Sequence, residues 1–336
     1  MTGTASMEVG GGVCHSGPTP LADSAAMCYT NRTTDGGNVA TAALFDETED
    51  LLDIRKDNIF KAVFTKDTGD SRRALSGLVS AIVGREMEAL DITANEPAPE
   101  DTRDRQIRFD INCKTPDGEK VNVEMCLNPN NFEPVRLEFH AARLFATQDI
   151  MGKDKSFDDL KRTYQIAILG NRTYFPDGNF FHEFEYYDPA RNVSLGGRTR
   201  IFTVELAKLE EVTKKSVDEM GNAERWAVFF EYLTDPAMRA KINEIAGCEE
   251  GIKMAGGVLL NISRNEVERA RLESEYKGKL DLQTKLVDAM REGRLEGRLE
   301  GVEQTARNAL AKGYTFELIH DITGLDIQTI KTLQAQ

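Results

Sequence analysis

Two carboxylates, Asp110 and Glu124, lie on either side of a Pro116-Asp117-Gly118 turn in the stretch QIRFDINCKTPDGEKVNVEMCL. Apolar and polar residues alternate on both sides of that turn, the period of a strand with one buried face, so the stretch predicts a β-hairpin. Ile107, Phe109, Ile111 and Cys113 share one face with Val121, Val123, Met125 and Leu127; Arg108, Asp110, Asn112 and Lys114 share the other with Asn122, Glu124, Cys126 and Asn128. A loop at residues 116–118 pairs Thr115 with Glu119, and counting back along both strands sets Asp110 directly across from Glu124. A one-residue slip would oppose apolar to polar, so this register is favoured. Carboxylates opposed in this way have Cβ atoms about 4.5 to 5.5 Å apart and repel. A divalent cation between them would offset the repulsion. A solvated outer face on which two acids happen to meet accounts for the pattern equally well.

The chain around this hairpin has 336 residues, enough for one large domain with appendages. No apolar run approaches a membrane span. Residues 1–45 are rich in Gly, Thr, Ala and Ser, with no helical or strand period and no basic start before an apolar stretch, so they are expected to be disordered rather than a signal peptide. Five cysteines at scattered spacings and only four histidines argue against a zinc site and favour a reducing cytoplasm. The net charge of −14 means that any nucleic-acid contact must use a local basic patch, because affinity for phosphates comes from Lys and Arg.

Helical periodicity begins at Leu51 and places Ile54, Ile59, Phe60 and Phe64 on one side; it continues over residues 73–83, with Gly84 as the stop. A polar loop with Pro97 and Pro99 leads into the hairpin, and after a turn at residues 128–131, Pro134 opens a helix to about Gln148. RTYQIAIL reads as a buried strand, FFHEFEYYD and TRIFTVELAKL as further strands, and ERWAVFFEYL as a helix whose Trp226 belongs in the core. Residues 241–303 are expected to form a charged helical arm containing GRLEGRLEG, with Gly293, Gly297 and Gly301 every four residues. The Glu292, Glu296, Glu300 row and the Arg294, Arg298 row are offset by two, so neither forms i,i+4 pairs; pairing with a second copy could satisfy them, and a flexible linker is the alternative. Residues 304–336 divide into three short helices with Gly313, Thr315 and Asp326 at their ends. The spacing suits a helix-turn-helix whose last helix offers Gln328, Thr329, Lys331 and Thr332 to DNA, or equally a small packing module.

The helix PVRLEFHAARLFATQ aligns Arg136, His140 and Arg143 at i, i+4 and i+7, a row able to meet phosphate oxygens or simply to face solvent. With these motifs in order, the chain resembles the PD-(D/E)XK nuclease superfamily, and within it the Rpn family of recombination-promoting nucleases and transposases. The resemblance covers roughly residues 50 to 235 and continues into the tail; DNIFKAVF, RFDINCKTPDGEKVNVEM, FEPVRLEFHAARLF with TYQIAIL, IFTVELAKL and ITGLDIQTIKTL carry it. It implies an α/β restriction-endonuclease-like core over 46–240, a mixed central sheet flanked by helices, with a C-terminal helical extension. Asp110 and Glu124 then correspond to the acids that hold Mg²⁺ or Mn²⁺ for phosphodiester hydrolysis, with the carbonyl of Met125 as backbone ligand and Asp57 as a further acid.

The same resemblance calls for Lys or Gln two residues after the glutamate, where this chain has Cys126. A thiol is a weak donor and, unless ionised, uncharged. Lys114, Arg136 or His140 could reach the same volume, whereas a cysteine nucleophile lacks a demonstrated histidine partner and oxyanion donors. The reading is a cytoplasmic metal-dependent DNA endonuclease, with Lys114, Arg136, His140 and Arg143 on phosphate and a homo-oligomerising arm. The alternative is a degenerate nuclease-fold protein acting in DNA binding or assembly.

Overall fold

A computed structural model describes residues 43–88, 90–93, 110–150 and 153–334. Most of the segment expected to be disordered, Pro97 and Pro99 of the polar loop, and Ile107, Arg108 and Phe109 of the first hairpin strand lie outside the described residues. The first two helices are α1 (Asp57–Phe64) and α2 (Gly69–Val83); after them come strands β1 (Asp91–Ile92), β2 (Ile111–Lys114) and β3 (Lys120–Cys126). Helix α3 (Glu133–Ala146) precedes β4 (Thr163–Leu169), β5 (Phe181–Phe184), β6 (Tyr187–Asp188), β7 (Val193–Ser194) and β8 (Thr199–Glu205). Helices α4 (Glu210–Lys214), α5 (Asn222–Tyr232), α6 (Arg239–Cys248), α7 (Glu250–Arg264), α8 (Glu266–Ala311), α9 (Phe316–Thr323) and α10 (Ile327–Gln334) complete the described chain.

A six-stranded sheet runs in the order β1-β2-β3-β4-β8-β5, with β6 and β7 forming a separate pair. The β3–β4 and β4–β8 pairs are parallel and the rest antiparallel. Every residue of β4 is buried, as a strand between parallel neighbours with both faces covered requires. One sheet face carries Ile111, Val121, Val123, Ile166, Ile168 and Phe202 into the main core, against α1, α2, α5 and α7. Trp226 is fully buried there, as its neighbours in the sequence indicated, among Phe64, Phe229 and Phe230. The other face carries Asn122, Glu124, Gln165 and Thr203 and is roofed by α3, whose Leu137 packs on Ala167 and Leu169. That face is therefore polar and buried rather than solvated.

The first helix starts six residues later than the periodicity suggested. Asp53 accepts hydrogen bonds from the Arg55 backbone (3.0 Å) and from its Nε (2.9 Å), a local turn that competes with helix. Thr68 then caps α2 through Ser71 N–H at 3.2 Å, separating it from α1, and Gly84 ends α2 at φ 75°. The expected boundary at residue 240 is corrected by packing: Ile242, Ile245, Ile252, Leu259, Ile262 and Leu272 belong to the main core.

The end of α8 absorbs the first of the three expected tail helices, so the arm is one helix of 46 residues. Ala306 and Ala309 on it pack with Ile319, Ile330 and Leu333 of α9 and α10. Thr315 and Asp326 cap as the sequence indicated, through Leu318 N–H and Thr329 N–H. Of the suggested base-contacting residues, Thr329 is engaged by Asp326 and Lys331 lies over the Phe316 ring. The root of α8 is fastened to α1 and the residues flanking it: Asn58 donates to the Leu272 carbonyl at 2.7 Å, Lys66 pairs with Glu268, Lys279 with Asp57, and Lys56 covers the Tyr276 ring.

Where α2 crosses α7, Gly77 and Gly251 bring the two backbones together; a Cβ on Gly77 would lie 2.9 Å from the Gly251 Cα. Neither backbone can yield as a flexible side chain would. Gly77→Val should lower unfolding free energy by about 1 to 3 kcal/mol through overpacking, read as an earlier urea midpoint with unchanged slope.

Candidate active site

The hairpin fixes the acid pair locally. Gly118 at φ 90° closes the turn through its N–H to the Thr115 carbonyl (2.9 Å), and Thr115 N–H reaches the Glu119 carbonyl (3.0 Å). The register Lys114↔Lys120 to Ile111↔Val123 follows, and Asp110 and Glu124 each lie one residue beyond that ladder. Asp110 sits on the bend just before β2, where its Oδ2 accepts the Met125 backbone N–H at 3.3 Å.

Glu124 is 1% exposed. A carboxylate taken out of water must be paired and hydrogen-bonded or it will take up a proton. Here Oε1 accepts from Asn122 Nδ2 at 2.9 Å and from the imidazole Nδ1 of His140, and Arg136 Nη2 lies 2.9 Å from Oε2. Burial pushes the Glu124 pKa up, but the His140 hydrogen bond and the Arg136 charge outweigh it and hold the group below its ordinary value. With Glu124 ionised, the proton in the His140 contact sits on Nδ1.

Asp110 is tuned the other way. Burial raises its pKa, Lys61 on α1 opposes that from 2.9 Å, and the nearby charges of Glu124 and Asp57 push it further up. Asp57 is thus close enough to be felt, while its own carboxylate pairs with Lys279 at 2.5 Å. Arg136 bridges two buried acids, because its Nε also donates to Glu133 Oε1 at 2.8 Å. Burial works against the guanidinium charge and the two carboxylates outweigh it, so Arg136 stays cationic.

The remaining expected residues divide. Met125 contributes its backbone beside Asp110 and buries its side chain in the main core. Cys126 leans into the small apolar cluster of Leu137, Ala167 and Leu169, and burial, helped by Glu133, pushes its thiol up to about 12. It is a protonated, uncharged group. Lys114 faces outward beside the turn, four residues and roughly 13 Å along the strand from Asp110, so it does not join the acids. Arg143 is half-buried nearly two turns beyond Arg136, about 10 Å along the helix axis, and lies outside the cluster. Sequence reading missed Lys61, Glu133 and Lys279. The i,i+4 spacing of Asp57 and Lys61 and the i,i+3 spacing of Glu133 and Arg136 were the available signals.

Two carboxylates with oxygen donors suit a hard cation such as Mg²⁺, which keeps several of its own waters and needs few protein ligands. Glu124 Oε2 supports this fit, being buried without a hydrogen-bond partner, its Arg136 contact lying off the bonding direction. Among the described residues no cluster of three or more His, Cys, Asp or Glu side chains could hold a metal.

At pH 8 a thiol with pKa near 12 is thiolate in roughly one part in ten thousand. Cys113 is pushed up to about 12 by burial as well. Iodoacetamide at pH 8 should therefore leave Cys113 and Cys126 unmodified in the folded protein and label both in urea; mass mapping of rapid native labelling at either site would contradict the geometry.

The sequence model of the PD-(D/E)XK nuclease family transposase matches residues 54–289, a span that holds both acids, the sheet, α3 and the root of α8. No curated protein and no solved structure matches significantly. The matched span is well over half of the 336 residues and holds the mixed six-stranded sheet with its covering helices, so the chain belongs to the PD-(D/E)XK nuclease family of transposases.

Proposed function

We propose that this protein is a metal-dependent DNA endonuclease of the Rpn type, hydrolysing phosphodiester bonds in a process that serves recombination. The observation that carries the reading is the closeness of Asp110 to the strand that buries Glu124, its carboxylate receiving the Met125 N–H, with one oxygen of Glu124 lacking a hydrogen-bond donor. Nucleases of this superfamily generally use divalent ions. Asp110, Glu124 and the Met125 carbonyl would hold Mg²⁺ or Mn²⁺, which when bound supplies charge stabilisation on the phosphate and an acidified water. Asn122 and His140 keep Glu124 ionised and fixed in direction. Arg136, committed to Glu124 and Glu133, sets the local charge, while Arg143 and Lys114 would meet phosphates further along the DNA backbone.

No helix among the described residues is long and apolar enough to cross a membrane. Among the described residues Cys113 and Cys126 carry free thiols, which suits the reducing cytoplasm proposed as its compartment.

The proposed partners are DNA and a second copy of the chain along α8. Gly293, Gly297 and Gly301 open onto empty space, each preceded by a glutamate, while Gly293 and Gly297 are each followed by an arginine. The residues before and after a glycine flank it on opposite sides of the helix. Parallel pairing through the glycine stripe opposes Glu to Arg, whereas antiparallel pairing opposes like charges. Light scattering of the full chain should give twice the monomer mass, and Arg294→Glu with Arg298→Glu should return it to monomer.

Supercoiled plasmid should be nicked in Mg²⁺ or Mn²⁺, and Asp110→Ala or Glu124→Gln should lower the rate by about 100-fold or more. The protonated Cys126 in its apolar niche favours a second reading, a nuclease fold retained for DNA binding or assembly. A wild-type protein that is inert across broad conditions, with cleavage appearing in Cys126→Gln, would establish that second reading.

A further inference from the structure

Helix α1 buries Ile59, Phe60, Val63 and Phe64 and turns Lys61 away from them toward the hairpin. The ammonium reaches Asp110 Oδ1 at 2.9 Å, on the carboxylate whose other oxygen receives the Met125 N–H. Its side chain remains about a third exposed, 34%, so the charged end is open to a ligand entering from solvent. An ammonium has three N–H donors, and one contact with Asp110 leaves others to direct elsewhere.

We infer that Lys61, carried by α1, supplies the cationic side chain that Cys126 cannot, contacting the scissile phosphate as a catalytic residue; this rests on the nuclease reading. The competing basic groups are committed or distant. Arg136 is shared by Glu124 and Glu133, His140 donates to Glu124, and Lys114 lies by the turn. Cys126 is neutral. A lysine at 126 would approach from β3, and Lys61 approaches Asp110 from α1.

In the hydrolysis, the oxygen of water bonds to phosphorus and one ester P–O bond breaks. Its electron pair stays on the leaving oxygen, which ends protonated, and the attacking water gives up a proton to solvent. The Lys61 ammonium donates hydrogen bonds to a non-bridging phosphate oxygen, where negative charge builds. Without a divalent ion the same ammonium rests on Asp110, where it balances the carboxylate and competes with any cation entering there.

Full-length wild type, Lys61→Met, Lys61→Met with Cys126→Lys, and Asp110→Asn test this by Mn²⁺ calorimetry and by plasmid cleavage. Removing the competing charge should tighten Mn²⁺ binding about ten-fold in Lys61→Met, with Asp110→Asn abolishing it. Cleavage by Lys61→Met should fall about 100-fold, and Cys126→Lys should recover a large part of it, which a merely structural role for Lys61 would not allow. Mn²⁺ binding that is unchanged or weaker in folded Lys61→Met, or cleavage that is unchanged, overturns the assignment and leaves the nuclease reading standing. A wild type showing neither Asp110-dependent Mn²⁺ binding nor cleavage overturns both. If the wild type binds Mn²⁺ without cutting, the affinity change alone decides; Lys61→Gln replaces the methionine variant should that fail to fold.

Discussion

Burial of the Glu124 carboxylate under α3 is the constraint around which the structure is arranged. A charge at 1% exposure tolerates neither a missing counterion nor a missing donor. The roof over it therefore has to be a helix that presents Arg136 and His140 one turn apart, and the strand beneath has to supply Asn122 on the same face. Leu137, between Arg136 and His140, secures that helix on Ala167 and Leu169. The βαβ crossover from β3 through α3 to β4 places the pieces, and the fully buried β4 is the wall on which they rest.

The two acids are held in opposite electrostatic states by this arrangement. Glu124 is kept ionised by donors from a covering helix, whereas Asp110, on the bend just before β2, is opposed in its tendency to protonate chiefly by Lys61. Their inequality follows from which element covers each one. A symmetrical pair, each with a similar environment, would offer an incoming cation two equivalent oxygens; this pair offers one fixed carboxylate and one whose partner is a flexible side chain.

The hairpin was legible because its information is local. A Pro-Asp-Gly turn and strict alternation set the register of residues 111–114 against 120–123 without reference to anything else. Whether their face was wet or dry was not legible, because α3 closes over it only in the tertiary fold. The same parity that located Asp110 also suggested Lys114, which shares its face but lies four residues away; alternation reports side, not position along a strand. Lys61 escaped because a contact between a helix and a strand about 50 residues apart leaves no periodic trace. In the C-terminal part, the expected break at residue 240 came from a change in composition, yet Ile242 to Leu272 still supply apolar residues to the core. The tail helix before Gly313 proved to be the end of α8, since nothing in its residues interrupts helical hydrogen bonding.

Helix α8 gives these local contacts a mechanical dimension. At 1.5 Å per residue its 46 residues extend about 70 Å, with its root clamped along α1 at Asn58 and Asp57 and the terminal helices packed at its far end. It is a lever with a short load arm. A displacement of several ångströms at the distal tip corresponds to a rotation of only a few degrees at the root, and that rotation is delivered to the helix that carries Asp57 and Lys61. The stiffness of a single uninterrupted helix thus makes the acid cluster sensitive to forces applied far from it.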